Sequence, residues 1–403
     1  MRSVKIKENI KNVDKTKKIF SKICDFKCHE FTVNILRILI VVAIVFMTFL
    51  LGLLINNFKK IGLVTWINSQ KIIYDQYVDV TFSKYSVLEK YKNEVVLYDK
   101  GVLYTVNKKG EVTWKEKVND LNSPIIKAKG DYFLLADTNT GNYFLYKNKK
   151  LKTTGKIDGE VKQIAINNKG KFALESSTNG YKTAIAIFNK KGIKEATYYL
   201  TADMITNLSI SNDNSKLFFV SILTEGNNIK STLNHINLNS DKINVENLFT
   251  RENEIIYSIN ISNNDIILTC ENSLYKYNIR TKKNVELKQL TTEQITFVDS
   301  KSGYFTYVFK DKLNSEGKVD KMSIYSSLIK KSATTNIEIT PKIVKMDEGI
   351  VAIVSEKEII FYNYWGKKIK KWTSSAMISD ITLFNDGNSA AIVIANKLHI
   401  ISL

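Results

Sequence analysis

The feature that most constrains the fold of this 403-residue chain is a unit of about 42 residues that recurs eight times from residue 77 onward. Each unit carries an early turn and, later, a strand that ends in an apolar or aromatic residue close to Asn or Ser. The early turns lie at Asn93, Asp131, Gly170, Asp213, Asp265, Gly303, Gly349 and Gly387, and the strand ends at Asn107, Asn148, Asn189, Asn237, Asn278, Ser326, Asn363 and Ser402. Repeats of this length made of short strands are typical of β-propeller blades.

The segments between these turns have the composition of strands, since they are rich in Val, Ile, Tyr, Phe and Thr. The third unit contains four predicted strands, at 161–167, 171–177, 182–188 and 193–200. The seventh contains four more, at 341–346, 349–355, 358–364 and 367–372. The sequence therefore predicts an all-β, eight-bladed β-propeller. A β-sandwich or a solenoid is the competing architecture, and the near-equal units favour a closed ring.

The eighth unit contains only three predicted strands, at 378–384, 389–395 and 398–403. A blade with an open edge is a hazard, because unpaired strand edges associate with other chains. The missing strand is available before the first unit, in the segment Tyr77–Ser83. We therefore predict that residues 77–83 pair with the last unit and close the ring.

A second feature is the apolar run Ile38–Ile55, which holds no charged residue in 18 positions. As a helix it would be about 27 Å long, close to the thickness of about 30 Å of a bilayer core. The run is longer than that of a secretory signal, and no small-residue cleavage site follows it. The sequence predicts a single transmembrane α-helix over 31–57, in contact with the lipid bilayer through Ile38–Ile55.

The orientation of this helix follows from charge, because Lys and Arg stay on the cytoplasmic side of a membrane. Residues 1–37 carry ten Lys or Arg and four Asp or Glu. The prediction is a cell-membrane protein that spans the bilayer once, with a cytoplasmic N-terminus and an extracytoplasmic propeller. Its parts are a basic tail (1–30), the helix (31–57), a juxtamembrane connector (58–76) and the propeller (77–403).

The chain is basic, with a formal net charge of +19 and a pI near 9.4. A basic outer domain can meet polyanions such as nucleic acid or anionic wall polymers. Its lysines are scattered through turns, as in Asn107–Gly110 and Asn189–Gly192, and do not form one stripe. This distribution disfavours nucleic acid as a partner and favours a protein or another cell-envelope component.

The residues that usually carry chemistry are few. A catalytic triad in the outer domain would have to use His235 or His399, and we interpret both as packed or surface residues. Cys24, Cys28 and His29 lack the further ligands that a zinc site needs. Cys270 lies in an apolar strand and is predicted to be a buried small hydrophobe.

The carboxylates have a structural interpretation as well. Asp299, Asp347 and Asp386 fall near the early turns, where Asp side chains bond the backbone. The segment 211–214 resembles part of a calcium loop but has a single carboxylate, so we interpret it as a turn. The sequence therefore assigns no catalytic, cofactor-binding or metal-binding residue and predicts no cofactor. First-strand residues are the candidates to line a central channel: Gln163, Asn207, Ser258, Thr296 and Asp380.

Two resemblances add to this interpretation. The segment Gly101–Trp114 resembles the repeat of quinoprotein-like propellers, and Gly366 with Trp372 partly repeats it. The full chain is similar to a family of membrane-anchored propellers of low-G+C Gram-positive bacteria, domain of unknown function 5711. Its basic tail, single span and closing segment Ser379–Leu403 carry this likeness. The resemblance implies location and fold and transfers no catalytic residue.

Two functional hypotheses follow from the sequence. The first is a non-enzymatic binding or scaffolding module that presents loops and a channel to a membrane or cell-envelope partner. The alternative is an extracytoplasmic enzyme or sensor that acts on a glycan or a quinone-type ligand, since two carboxylates suffice for glycan hydrolysis. The scarcity of histidine favours the first.

Overall fold

The chain divides into two compact units, Met1–Phe58 and Lys59–Leu403, in this computed structural model. The structure describes residues 42, 44–48, 74–83, 86–118, 120–201, 203–211, 213–240, 244–262, 264–289, 293–301, 304–311, 320–326, 331–347 and 349–403. The predicted tail, most of the predicted span and nearly all of the predicted connector lie outside these residues.

The described residues of the first unit, 42 and 44–48, are helical. The Thr48 hydroxyl donates a hydrogen bond to the Val45 carbonyl oxygen at 2.8 Å. The polar group of the Thr48 side chain is therefore satisfied within the helix. A search of the described residues finds no helix with the length and apolarity needed to cross a membrane.

The second unit consists of eight four-stranded antiparallel sheets, which confirms the predicted eight-bladed propeller. Blades 1 to 4 contain β2–β5 (Val87–Tyr91, Glu94–Asp99, Val102–Asn107, Val112–Lys117), β6–β9 (Pro124–Lys129, Tyr132–Asp137, Asn142–Lys147, Lys150–Lys156), β10–β13 (Val161–Ile166, Phe172–Thr178, Tyr181–Phe188, Lys194–Leu200) and β14–β17 (Met204–Ile210, Lys216–Glu225, Asn228–Asn237, Val245–Glu252).

Blades 5 to 8 follow the same order of strands. They contain β18–β21 (Ile256–Ser262, Asp265–Cys270, Ser273–Asn278, Lys283–Gln289), β22–β25 (Glu293–Lys301, Tyr304–Asp311, Lys321–Ser326, Lys331–Asn336), β26–β29 (Ile343–Asp347, Ile350–Val354, Glu358–Asn363, Lys368–Thr373) and β30–β32 (Ile378–Leu383, Ser389–Ile394, Lys397–Ser402) with β1 (Tyr74–Thr81). The strands predicted for the third, seventh and eighth units match these bounds to within two residues.

The closing strand β1 pairs antiparallel with β32 and completes blade 8. It begins at Tyr74, three residues before the predicted segment 77–83, and ends at Thr81. The difference arises because β32 continues to Ser402 and supplies partners for Tyr74 and the two residues after it. Three residues assigned to the connector therefore belong to the propeller.

Burial follows the position of a strand in its blade. Middle strands are covered on both faces by the neighbouring blades and are mostly apolar and buried, as in Tyr132–Asp137, where all six residues are buried. Fourth strands lie at the rim and alternate, as in Val112–Lys117. Eight apolar clusters are found among the described residues, one between each pair of adjacent blades, the last joining β1 and blade 8 to blade 1.

The first strands form the inner wall of the ring, and each contacts the first strands of the two adjacent blades. In five blades the first strand contains a β-bulge near its start. In blades 3 and 4 the polar side chain beside the bulge, Gln163 or Asn207, donates a hydrogen bond to the next blade. The register shifts lie at Val161/Gln163, Ile205/Asn207, Ile256/Ser258, Ile295/Phe297 and Ile378/Asp380.

Candidate functional site

Antiparallel pairing gives every blade two distinct ends. The turns from first to second strand and from third to fourth strand share one end, which we call the turn end. The linker end holds the second-to-third turns and the connections between blades. β1 begins at the turn end, since Tyr74 pairs with Ser402, the last residue of the third strand of blade 8.

Charge is distributed unequally between these ends. Among the described connections, eleven basic residues lie at the turn end: Lys92, Lys108, Lys109, Lys149, Lys169, Lys171, Lys190, Lys191, Arg280, Lys282 and Lys367. Four acidic residues accompany them: Glu111, Asp131, Asp213 and Asp386. The linker end has three basic residues (Lys100, Lys342, Lys357) and nine acidic ones (Asp120, Asp158, Glu160, Asp203, Glu254, Glu271, Asp320, Glu338, Glu356). Among the described connections, the basic residues are therefore concentrated at the turn end.

A cavity of about 790 Å³ opens at the turn end of the ring, and we call it the channel mouth. It is formed where the first strands of blades 1, 2, 6, 7 and 8 end, so side chains far apart in sequence converge there. Its charged residues are Glu89, Lys90, Lys92, Lys127, Lys129, Asp131, Asp299, Lys301, Lys345 and Asp347.

An ion-pair network in the mouth joins three blades. The Asp347 carboxylate of blade 7 pairs with the Lys90 ammonium of blade 1, and its other oxygen lies 3.4 Å from the Lys301 ammonium of blade 6. The Asp347 and Lys90 side chains are only 8% and 16% exposed. Burial lowers the pKa of Lys90 to about 8, and Asp347 opposes this shift by favouring the charged ammonium.

Three further carboxylates lie along the inner wall. Asp299 accepts backbone hydrogen bonds from Ser300 at 2.8 Å and from Met346 of the next blade at 2.7 Å. Burial raises the pKa of Asp299 against these bonds, and it also raises the pKa of Asp380. Burial likewise raises the pKa of Glu89, although the Lys127 ammonium, 3.8 Å away, lowers it.

Two lysines of the mouth have no ion-pair partner among the described residues. Lys129 ends the first strand of blade 2, and Lys345 lies near the end of the first strand of blade 7. Burial and then the nearby Lys301 ammonium lower the pKa of Lys129. Lys345 lies in electrostatic contact with the carboxylates of Glu89, Asp299 and Asp380. With six lysines and four carboxylates in its lining, the mouth carries a formal excess of two positive charges.

The structure places the predicted channel residues on first strands, but most of them bond neighbouring strands. Gln163 donates to the Ile205 carbonyl oxygen of the next blade at 3.2 Å, and Asn207 donates to that of Tyr257 at 2.5 Å. Thr296 donates within its own blade, at 3.2 Å to the Val308 carbonyl oxygen. The Ser258 hydroxyl is buried and has no hydrogen-bond partner among the described residues. Of the five, Asp380 has electrostatic contact with the mouth, through Glu89 and Lys345.

The predicted structural role of the early-turn aspartates holds only in part. Asp386 accepts bonds from the Asn388 backbone at 2.9 Å and the Ser389 hydroxyl at 3.0 Å, as a turn residue does. Asp213 bonds Ser211 and Ser215 in the same way, and these bonds lower its pKa to about 2. The turn interpretation of Asp347 is wrong, since its partners are lysines of two other blades.

The remaining candidates lie away from the mouth. His235 is buried in blade 4, where its Nε2 lies 3.7 Å from a Glu246 carboxylate oxygen. His399 of blade 8 packs against the Tyr77 ring at 5.9 Å. Cys270 is fully buried, as predicted, and burial raises its pKa to about 12. Within the described part of the chain, no three His, Cys, Asp or Glu side chains come together as metal ligands. Cys24, Cys28 and His29 lie outside the described residues.

The lysines of the mouth were not predicted from the sequence. Lys90, Lys129 and Lys301 each precede the early-turn marker of their unit by two or three residues, and Lys345 precedes its marker by four. This regular placement was a usable signal, because the end of every first strand faces the same end of the ring. It was obscured by the many lysines of the third-to-fourth turns.

Comparisons with known proteins agree with this architecture. The sequence model described as "Family of unknown function (DUF5711)" matches residues 69–403. The crystal structure of BamB from Moraxella catarrhalis is similar with a TM-score of 0.50 and 8% identity, over 82% of this chain and 98% of that one. The C-terminal WD40 domain of Sif2 gives a TM-score of 0.59 and 9% identity, over 83% and 99%. A search of the curated proteins finds no match. At these identities the structural likenesses establish the fold alone.

Proposed function

The chain belongs to the DUF5711 family of unknown function, and from that premise we propose that it is a membrane-anchored binding module. In this proposal the propeller lies outside the cytoplasmic membrane and acts without catalysis. It holds a protein or another cell-envelope partner at its channel mouth. The observation that carries the proposal is the mouth itself, where lysines and carboxylates from separate blades meet around an open cavity.

The anchor is supported by the first unit. Ile38–Ile55 is uncharged, and its described residues are helical. The large apolar side chains among them, Val42 and Ile44–Met47, are 56–70% exposed, which suits an apolar surrounding. The excess of Lys and Arg in residues 1–37 supports a cytoplasmic N-terminus.

The binding role is supported by the rigidity of the ring. Each blade is covered by two neighbours, and the Asp347 network ties blades 1, 6 and 7 across the mouth. A site held on strands keeps its side chains in place before a partner arrives, and this lowers the entropic cost of binding.

The test is a cross-linked pull-down of the full-length protein from its native membranes. We expect a partner that the wild-type chain captures and that the double variant Lys129→Glu/Lys345→Glu loses. The control is Lys100→Glu/Lys357→Glu, which makes the same charge change at the linker end and should retain the partner. Capture that is equal in all three proteins would contradict the mouth as the binding site.

The anchor is tested separately. Alkaline carbonate should leave the full-length chain in the membrane pellet, and protease added outside intact cells stripped of their wall should digest the propeller. Release of the chain by carbonate would show that Ile38–Ile55 does not anchor it. Protection of the propeller would reverse the proposed orientation.

The enzymatic alternative is favoured by one observation, the raised pKa values of Glu89 and Asp380, which lie in electrostatic contact. A carboxyl group whose pKa is raised by burial suits the role of general acid in glycan hydrolysis. If the chain is such an enzyme, the purified protein releases reducing ends from cell-wall glycan, and Glu89→Gln abolishes this release. No release by the wild-type protein would leave the binding module as the better account.

A further inference from the structure

In the described structure the channel mouth is lined by six lysines and four carboxylates, which is a formal excess of two positive charges. Lys129 and Lys345 have no ion-pair partner there, while Lys90 and Lys301 share the single carboxylate of Asp347. Like charges held together in a partly enclosed space repel one another. An anion bound among them would relieve this repulsion.

The surroundings of the mouth increase the same charge. It opens at the turn end, where the described connections carry eleven basic and four acidic residues, whereas those of the linker end carry three and nine. A cavity whose surroundings are predominantly positive attracts ligands of negative charge. The field of the whole propeller therefore directs anions to the mouth.

We propose that the channel mouth is a binding site for a phosphate group, held by the ammonium groups of Lys129 and Lys345 with Lys301 beside them. This inference rests on the proposed binding function and names the chemistry of its ligand. The lysines come from blades 2, 7 and 6, so they approach a central group from different directions.

The chemical class follows from the donors. Each ammonium is a point charge with three donors, and a phosphate offers several charged oxygens that separate donors can reach at once. A single carboxylate has two oxygens and one negative charge, so it satisfies fewer of the lysines. The volume of about 790 Å³ admits a phosphate together with the group that it esterifies.

Two sources can supply this phosphate, a lipid headgroup or a soluble phosphate ester. The chain enters the propeller at the turn end, since β1 begins there. The end of the propeller at which β1 begins is therefore also the end at which the mouth opens. The experiment needs one arm for each source.

The first arm measures pyrophosphate binding to the full-length protein in an uncharged detergent, by calorimetry. We expect Lys129→Gln/Lys345→Gln to weaken binding by about tenfold or more, because the variant lacks two charged hydrogen-bond donors to the phosphate. The control Lys100→Gln/Lys357→Gln removes the same charge from the linker end and should bind as the wild type does. An unchanged melting temperature in both variants shows that neither is misfolded.

The second arm uses the full-length chain in nanodiscs of phosphatidylcholine, with and without phosphatidylglycerol, and a fluorophore attached in the mouth at Thr382→Cys. With Cys24 and Cys28 replaced by serine, quenching by a headgroup-labelled lipid reports how close the mouth is to the bilayer. Quenching that needs phosphatidylglycerol and is lost in Lys129→Gln/Lys345→Gln assigns the site to a lipid headgroup. Binding of pyrophosphate without such quenching assigns it to a soluble ester.

The inference is overturned if the wild-type protein neither binds pyrophosphate in the first arm nor shows phosphatidylglycerol-dependent quenching in the second. It is overturned as well if the mouth variant binds pyrophosphate as tightly as the control. It is also overturned if a tricarboxylate of equal charge binds more tightly than pyrophosphate. A partner captured in the pull-down with no phosphate bound would remove this inference and leave the proposed function standing. Phosphate binding without a captured partner would leave this inference standing and remove the proposed binding of a partner.

Discussion

At the scale of single residues, Glu175 is a buried carboxyl group whose surroundings disfavour its charged form. It lies in β11 opposite Gln163 and Ile185 and is 1% exposed. In the part of the chain that the structure describes, its Oε2 atom has no hydrogen-bond partner. Burial raises the pKa of Glu175 to about 7, and Lys162 opposes this shift only in part. The folded state therefore holds a proton that the unfolded chain releases near its ordinary pKa of 4.5.

This difference makes stability depend on pH. The favourable contribution of the protonated form is complete below about pH 4.5 and is lost as the pH rises to about 7. We expect Glu175→Gln to stabilise the propeller at pH 8, by about 3 kcal/mol at most, and to change little at pH 4.5. Melting temperatures at the two pH values measure this. Glu160→Gln, at an exposed site, is the control, and an equal effect of both variants at pH 8 would exclude burial as the cause.

Replacing two glycines by alanine distinguishes the energetic cost of backbone strain from that of steric conflict. Gly159 and Gly180 have positive φ angles of 85° and 83°, where alanine is strained by about 1 kcal/mol. A Cβ at Gly159 would lie 1.7 Å from the Ser177 carbonyl oxygen, whereas nothing lies within 4 Å of a Cβ at Gly180. We expect Gly159→Ala to destabilise the fold by about 3 kcal/mol or more and Gly180→Ala by about 1 kcal/mol. Equal shifts in melting temperature for the two variants would mean that the linker around Gly159 moves away from the added methyl group at little cost in free energy.

At the scale of elements, the closing strand decides whether the ring is complete. Val78 of β1 is 2% exposed and packs in the cluster that joins blade 8 to blade 1. Val78→Asp would bury a carboxylate without a partner, and we expect a loss of about 3 kcal/mol or more. Val112→Asp makes the same change on a rim strand, at a side chain that is 44% exposed, and should cost about 0.5 kcal/mol or less.

Thermal unfolding followed by far-UV circular dichroism compares these two variants with the wild type. If Val78→Asp melts at the same temperature as Val112→Asp, β1 is not needed for closure. This experiment also examines the segment that joins the propeller to the proposed anchor, without removing any residue.

At the scale of the whole molecule, the eight interfaces form one closed series. Phe361 is fully buried between blades 7 and 8, while Cys270 is buried in the cluster between blades 4 and 5. Because every blade supports two others, we expect Phe361→Ala to expose Cys270 at the same lowered temperature at which the circular dichroism is lost. The expected loss is about 3–5 kcal/mol. Thiol labelling, with Cys24 and Cys28 replaced by serine, measures the exposure of Cys270. Labelling that stays at the wild-type temperature would show that blades unfold separately.

The repeat made the fold predictable, whereas the mouth was not. Alternating residues and turn markers locate strands, and the near-equal units indicate a ring, so blade 3 could be predicted to within two residues at each strand end. The mouth depends on contacts that no local pattern contains. Lys90 and Asp347 are 257 positions apart in sequence and meet only because the ring closes. The bulges were missed for a similar reason, since a single extra residue leaves the hydrophobic pattern almost unchanged.

The pairing of β1 with β32 has a consequence for the order of events during folding. Every other neighbouring pair of strands within a blade is close in sequence, but these two are more than 300 residues apart. Loops of that length form late, because the chain must search a large volume before their ends meet. Until then β32 offers an unpaired edge, and the β1 of a second copy can occupy it. Two newly made chains at high local concentration can therefore exchange their β1 strands, so that each closes the ring of the other.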